Sequence, residues 1–369
     1  MDWRVRFVDY PEQWRRQRPE LLPVIEDTIA RGDLMLRQQL RDFEEHLARF
    51  GGTARAVGVS NCTDGLRLLA HALDIGPGDE VVSVAHTFVA TISPFALRGA
   101  TPVLVDIGDD HLMDTDRLLD AVTERTRVII PVHLNGRTVD MNAVRKAADT
   151  CGAVIVEDAA QALGATFDGR TAGTFGLAST YSFYPAKMLG ALGDAGAVLT
   201  DDDTLADRLT ALRDHGRIGK SDLDGWGYNC RLDNLQAAIL DWRLARLPEW
   251  IERRRHLARI YTKLLSDLPD LEIPVGPDAD PQRRDVFQNY VITSDWRTPL
   301  AEHLRDDGVE TMVSWPVPLH RQPGLGLGHH RLPRTEELCD RVLSLPMYPE
   351  LADEQVEYVA ASIRRFFER

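Results

Sequence analysis

The 369-residue sequence predicts an α/β fold: a mainly parallel central sheet flanked by helices, with a smaller C-terminal α+β domain. Three observations predict it. Between residues 56 and 156, short β-branched runs alternate with helical patterns, the signature of a sheet covered on both faces. The alternation stops near residue 240, where a long helical pattern leads into a Pro/Asp/Gly-rich stretch. The composition, 44% hydrophobic and 27% charged, suits a soluble globular chain with ample core.

The first fifty residues read as helices, Pro19 to Arg31 and Leu36 to Phe50. The second places Leu36, Leu40, Phe43 and Leu47 at helical spacing, and Gly51-Gly52 ends it. Then follow strand Ala56–Val59, helix 64–73, strand Glu80–Val84, helix 88–98 and strand Pro102–Val105. Helix 115–123, strand Val128–Val132, helix 141–151 and strand Ala153–Val156 continue the pattern. Helix 233–263 is long, and its Arg253-Arg254-Arg255 run reads as a solvated face. Prolines 269, 274, 277 and 281 break the chain. An α+β unit begins with Phe287–Thr293 and helix 298–307, and closes with helix 353–367. The expected division is a large domain, residues 1–250 with a helical segment 1–50, and a small domain, residues 251–369.

A net charge of −14 argues against a nucleic-acid surface, although a local helix N-terminus can still hold an anion. No run approaches the ~18 apolar residues of a membrane span, and Met1-Asp-Trp-Arg-Val-Arg6 carries no apolar signal core. A cytoplasmic protein without membrane or nucleic-acid partners is expected. The four cysteines are scattered, without metal-ligand spacing, so no metal is expected.

The chemistry centres on Lys187 and Asp158. An apolar run, Val154-Ile-Val-Glu-Asp158, delivers an acid at its end. A second run, Tyr181-Ser182-Phe-Tyr-Pro-Ala-Lys187, delivers a hydroxyl and an amine into a glycine-rich turn. An acid and an amine at strand ends are what a pyridoxal phosphate enzyme needs. The amine forms a Schiff base with the cofactor aldehyde, and the acid keeps the pyridine nitrogen protonated. Of the four lysines, Lys146, Lys220 and Lys263 lie in polar or amphipathic settings; only Lys187 is set to be desolvated. The bland readings are a lysine that merely follows a strand and an aspartate that caps a helix.

Other motifs are weaker singly. Ser60-Asn-Cys-Thr63-Asp64-Gly65 follows a strand and opens a helix, as a phosphate site or an ordinary cap would. Phe88, in Ala85-His-Thr-Phe88, is an aromatic that can stack on a flat ring or fill core. His133 is a ligand contact or a satisfied core histidine. Asn229 and Arg231 stand in a polar turn where they can cap a helix or reach a neighbouring subunit. Together these place several candidates at strand ends of one sheet, the edge where open α/β sheets bind ligands.

With those motifs in hand, the chain resembles the DegT/StrS-type nucleotide-sugar aminotransferases, fold-type I enzymes that use pyridoxal phosphate. The resemblance rests on Asn61-x-Thr-Asp64, Thr87-Phe-Val-Ala-Thr91, Pro131-Val-His-Leu-x-Gly136, Glu157-Asp-Ala-Ala-Gln161, Ser182-Phe-Tyr-Pro-x-Lys187, Gly227-Tyr-Asn-x-Arg231, Pro316-x-Pro-Leu-His320 and Leu343-Ser-Leu-Pro-Met347. It implies that Lys187 carries the cofactor and shuttles the proton, while Asp158 pairs with the pyridine nitrogen. It further implies that Gln161 bonds the ring 3-hydroxyl and Phe88 stacks. Thr63, Ser182 and the backbone at 63–64 hold the phosphate, with Asn229 supplied by the partner of a homodimer with shared sites. Arg37, His133, Arg231 and His320 are its candidate substrate contacts. Arg37 stands where the family has glycine, Cys62 where glycine is usual, and Trp315 where tyrosine is commoner.

The implied reaction is ping-pong transfer from L-glutamate, or L-glutamine, to a keto group of a nucleotide-activated deoxysugar. The pyridoxamine phosphate form arises midway. An aminocyclitol acceptor in antibiotic biosynthesis is the nearest rival. A non-catalytic regulator sensing the cofactor or a sugar is the rival of another class. A Rossmann site fares worse, since the first βα turn has no GxGxxG.

Overall fold

The computed structural model describes residues 3–368. The helices in chain order are α1 (Tyr10–Arg31), α2 (Gln38–Gly51), α3 (Cys62–Ala72), α4 (Ser93–Ala96), α5 (Thr115–Ala121), α6 (Met141–Cys151), α7 (Asp203–Arg213), α8 (Asn234–Leu244), α9 (Leu247–Leu265), α10 (Arg297–Asp306), α11 (Pro333–Arg341) and α12 (Asp353–Phe367). The strands are β1 (Arg55–Val59), β2 (Glu80–Val84), β3 (Thr101–Val105), β4 (Thr126–Ile129), β5 (Val154–Asp158), β6 (Thr166–Phe167), β7 (Arg170–Thr171), β8 (Ala178–Ser182), β9 (Gly196–Thr200), β10 (Arg283–Arg284), β11 (Tyr290–Thr293) and β12 (Val342–Leu345).

Seven strands form the main sheet in the order β1-β9-β8-β5-β4-β2-β3. The pairs from β8 to β3 are parallel, while β9 runs antiparallel to both β8 and β1. Every residue of β2 and β9 is buried, as expected for strands covered on both faces. Acidic or amide caps start four of the helices that follow strands of the main sheet. Asn61, Asp114, Asp140 and Asp202 each accept a backbone N–H of α3, α5, α6 and α7. The ends Val59, Val84, Asp158 and Ser182 therefore lie along one edge of the sheet.

A second core gathers α9, α10, α12 and the β11–β12 pair. Val5, from the start of the chain, packs into it and bridges Val309. The hairpin β6–β7 is extended by β10, which ties the C-terminal segment to the large sheet's side of the molecule.

Four expectations are corrected. The first helix starts at Tyr10, nine residues before Pro19, because Asp9 caps it and Pro11 occupies its first turn. It continues through Pro19 and Pro23. Segment 88–98 is a 3₁₀ turn, Val89–Thr91, followed by the single turn α4 with Pro94 in its first turn. Segment 233–263 is two helices, broken at Ala245–Arg246 before Pro248. Nor are its arginines all solvated: Arg254 and Arg255 are buried, and Arg254 donates to the carbonyls of Phe287, Gln288 and Met347.

Candidate active site

The end of β5 delivers Asp158 in a buried position. Its Oδ2 accepts the Thr91 hydroxyl at 2.7 Å and its Oδ1 accepts the Ala160 N–H at 3.1 Å. Thr91 in turn shares a hydroxyl–hydroxyl bond of 2.8 Å with Thr87. Two donors leave a carboxylate with spare lone pairs, free to accept a further N–H⁺.

Beyond the end of the neighbouring β8, the chain turns through Lys187, whose N–H donates to Tyr184 C=O at 2.8 Å. The turn needs Gly190: φ is +62°, and a Cβ there would lie 2.6 Å from Pro185 O. Arg243, almost fully buried, donates to the Gly190 carbonyl and clamps the turn from α8. Burial lowers the Lys187 pKa, opposed by the Asp158 carboxylate and by Cys62. The lysine and the acid thus share one electrostatic environment.

The N-terminus of α3 closes the same edge. Asn61 Oδ1 accepts the Asp64 N–H at 2.8 Å, and the Asp64 carboxylate is held by Ser60, Asn61 and Arg67. Asp64 therefore spends both its N–H and its side chain inside the cap. The helix-opening N–H groups of Cys62 and Thr63 have no earlier carbonyl to bond and remain an anion cradle with the Thr63 hydroxyl. Gly196 permits β9 to approach it, because a Cβ there would lie 2.6 Å from Cys62 N. Burial pushes the Cys62 thiol up to about 12, so it stands in the cradle as a neutral small residue. Ser182, the last residue of β8, pairs with Gly196 beside this cradle.

Phe88 begins the turn that carries Thr91, and it is 58% exposed. It is no core aromatic. Gln161, in the turn after Asp158, accepts the Asn135 N–H on Oε1 at 2.7 Å, which leaves its NH₂ to donate. An acid, an amine, an anion cradle, an open aromatic face and a free amide donor match, group by group, the ring nitrogen, aldehyde, phosphate, ring face and 3-hydroxyl of pyridoxal phosphate.

The family model for the DegT/DnrJ/EryC1/StrS aminotransferase family matches residues 16–364. The chain belongs to that family. A Micromonospora megalomicea subsp. nigra protein named dTDP-3-amino-3,4,6-trideoxy-alpha-D-glucose transaminase is 41% identical over 96% of this chain and 96% of its own. A Geobacillus stearothermophilus protein named pleiotropic regulatory protein is 40% identical, with 98% of each covered. The crystal structure of S. venezuelae DesV in complex with a ketimine intermediate superposes with a TM-score of 0.95, at 40% identity and 99% coverage of both chains.

The remaining positions of this aminotransferase divide. His133 is fully buried, with Nδ1 accepting the Val139 N–H at 3.2 Å and Nε2 donating to Glu157 at 2.9 Å. Both ring nitrogens are engaged, so the expectation of a substrate contact is corrected: His133 is part of the core. His320 is also buried. Its Nε2 lies 2.9 Å from Glu336, while Nδ1 is buried without a partner among the described residues. His320 and then Arg321 hold the Glu336 carboxyl down to about 2. The Leu319 N–H donates to Ala85 C=O, which brings this segment to the end of β2.

Asn229 is exposed, next to Cys230, whose C=O accepts the Ser60 N–H. Arg231 pairs with Asp214 at 3.2 Å. Arg37 is exposed at the start of α2 and lines a groove of about 600 Å³ with Arg41, Arg55, Arg213 and Arg217. That lining includes neither Lys187 nor Asp158. The Arg37 backbone N–H donates to Asn234 Oδ1 at 3.0 Å, at the start of α8. The sequence reading missed the roles of Thr91 and Asn135. The Thr87-x-x-x-Thr91 spacing was visible, but nothing in it showed that the pair would fold over Asp158.

Proposed function

We propose that this aminotransferase uses pyridoxal phosphate to move an amino group from L-glutamate, or L-glutamine, to a keto group of a nucleotide-activated deoxysugar. The observation that carries the reading is the pairing of Asp158 and Lys187 at neighbouring strand ends, one facing a hydroxyl chain and the other desolvated. The transaminase names among the relatives support the nucleotide-sugar class.

Bound pyridoxal phosphate supplies an aldehyde for amine exchange and a ring that delocalises charge from the α-carbon. The protein's part follows from its residues. The Cys62 and Thr63 N–H groups and the Thr63 and Ser182 hydroxyls hold the phosphate. Phe88 covers one ring face, Gln161 donates to the 3-hydroxyl, and Asp158 accepts the ring N–H⁺. Lys187, its pKa lowered by burial, takes a proton at Nζ from the donor's α-carbon and returns one to the acceptor's carbon. The donor and acceptor then use one site in turn, which is ping-pong order.

The partner of a homodimer would complete the site. Ile218, Leu223 and Trp226 are exposed at 64%, 63% and 93% in the loop before Asn229, more apolar surface than one loop of a free monomer usually shows. Asn229 would enter the neighbouring site from that loop.

The test is the visible spectrum of protein loaded with pyridoxal phosphate, before and after L-glutamate. Loss of the long-wavelength band with release of 2-oxoglutarate is expected. A protein that binds no pyridoxal phosphate overturns the reading. The Geobacillus relative's name favours a second reading, a regulator without turnover. A band indifferent to both glutamate and glutamine would select it.

A further inference from the structure

One buried side chain from the C-terminal part reaches the lysine turn. Gln288, 5% exposed, lies just before β11. Its side-chain amide donates to Ala186 C=O at 2.7 Å, one residue from Lys187. Its backbone N–H donates to Asn135 C=O at 3.0 Å, and the Val286 N–H donates to Gly136 C=O at 3.0 Å. The Asn135 N–H donates to Gln161. Three hydrogen bonds, linked through the backbone of Asn135 and through the backbone and side chain of Gln288, therefore connect Gln161, Asn135, Gln288 and Ala186. They join the amide that faces the 3-hydroxyl to the turn that presents the amine.

The crossing is tightly made. Asn135 and Phe287 both adopt positive φ, +57° and +51°, conformations that non-glycine residues hold only when their surroundings enforce them. At Gly136 a Cβ would lie 2.7 Å from Val286 and 3.0 Å from Gln288 N. From behind, Arg254 donates to Gln288 C=O at 3.2 Å.

A second observation is chemical. Gln288 Oε1 is buried and has no hydrogen-bond partner among the described residues. A buried orphan acceptor is costly, and a methionine of the same length would fill the space without it. If packing were its role, glutamine would be the wrong residue. What the amide adds is the bond it donates to Ala186.

We propose that Gln288 is a positioning residue for Lys187: the C-terminal part, through this amide, sets where the amine stands relative to Gln161. The proposal rests on the pyridoxal phosphate reading for its consequence, but its geometry belongs to the cofactor-free protein. The experiment is Gln288→Met, beside wild type and the exposed control Gln282→Met. In cofactor-free protein, Gln288→Met melts at or above the wild-type temperature, while amide hydrogen exchange at Lys187 and Ala191 quickens about tenfold. In loaded protein, pyridoxal phosphate binds about tenfold more weakly, and the pH midpoint of its visible band shifts. Gln282→Met changes none of these.

A lowered melting temperature with exchange and cofactor affinity within about twofold of wild type would make Gln288 a packing residue and overturn the proposal. Wild-type protein that binds no pyridoxal phosphate would sink the cofactor reading, and the exchange measurement would still decide the positioning. Should Gln288→Met fail to fold, Gln288→Ala takes the same readings.

Discussion

Glu157 and Asp158 are consecutive carboxylates at the end of one strand, and they face opposite sides of the sheet. Glu157 is fully buried and accepts four hydrogen bonds: from His133, and from the Gly173, Phe175 and Gly176 N–H groups at 2.6–2.9 Å. The loop that supplies three of them depends on glycine, since φ at Gly173 is +94° and a Cβ at Gly176 would collide with Ile155 O. Asp158 accepts two bonds and keeps lone pairs open toward the lysine side. The difference teaches how a strand end is used. On one face a charge is saturated and becomes a staple. On the other it is left unsaturated and becomes a reagent.

Exchanging each acid for its amide sharpens the contrast. Asp158→Asn is expected to lower kcat by about 10²–10⁴-fold, with a melting temperature close to wild type. Glu157→Gln replaces an acceptor of backbone N–H bonds by a group that must turn an NH₂ toward donors. It is expected to cost about 2–4 kcal/mol of stability while kcat below the melting transition stays within about threefold. Denaturant unfolding and steady-state kinetics on both variants check this. Matching kinetic losses in the two would erase the distinction.

The same contrast explains what the sequence could disclose. Asp158, Lys187 and the parallel sheet were legible because a period-two or fully apolar run is a local property, and it ends where the reagent stands. The limits of α6, set by the Asp140 cap, were legible for the same reason, whereas α3 starts at Cys62, two residues before the 64 read from the sequence, because Asn61 caps it. The breaks at Pro94 and Pro248 were also present locally, yet amphipathic spacing on either side masked them. His133 was ambiguous because its partners, Glu157 and Val139, are fixed only once β5 and the 3₁₀ turn at 134–136 pack together. Arg254 read as solvated because its three carbonyl acceptors lie 33 to 93 residues away in sequence.

Lys187 tests the reagent face through pH. Burial lowers its pKa below the ordinary value of 10.5. Between those two pKa values the unfolded chain binds more protons than the folded one, so the stability of the cofactor-free protein rises with pH there. Above about 10.5 the amine is neutral in both states and its penalty disappears. Lys187→Met should therefore raise the melting temperature of cofactor-free protein at neutral pH and abolish transamination, and its stability advantage should fade as pH approaches 10.5. An advantage that is the same at every pH would mean that burial does not penalise the charged amine.

The mildest change concerns Thr91, which supplies one of the two bonds that the described residues give the Asp158 carboxylate. On the Glu157 face, losing one donor of four would leave the staple closed. On the Asp158 face, one donor is half of what fixes the carboxylate's direction. Thr91→Val keeps the volume and removes the hydroxyl, so kcat should fall about 3- to 10-fold with stability little changed. Thr91→Ser, which returns the hydroxyl without the methyl, should recover most of that loss. A valine variant that matches wild type in kcat would mean that Asp158 is oriented by the Ala160 N–H and the strand alone. The reagent face would then be as rigidly set by backbone as the staple face behind it.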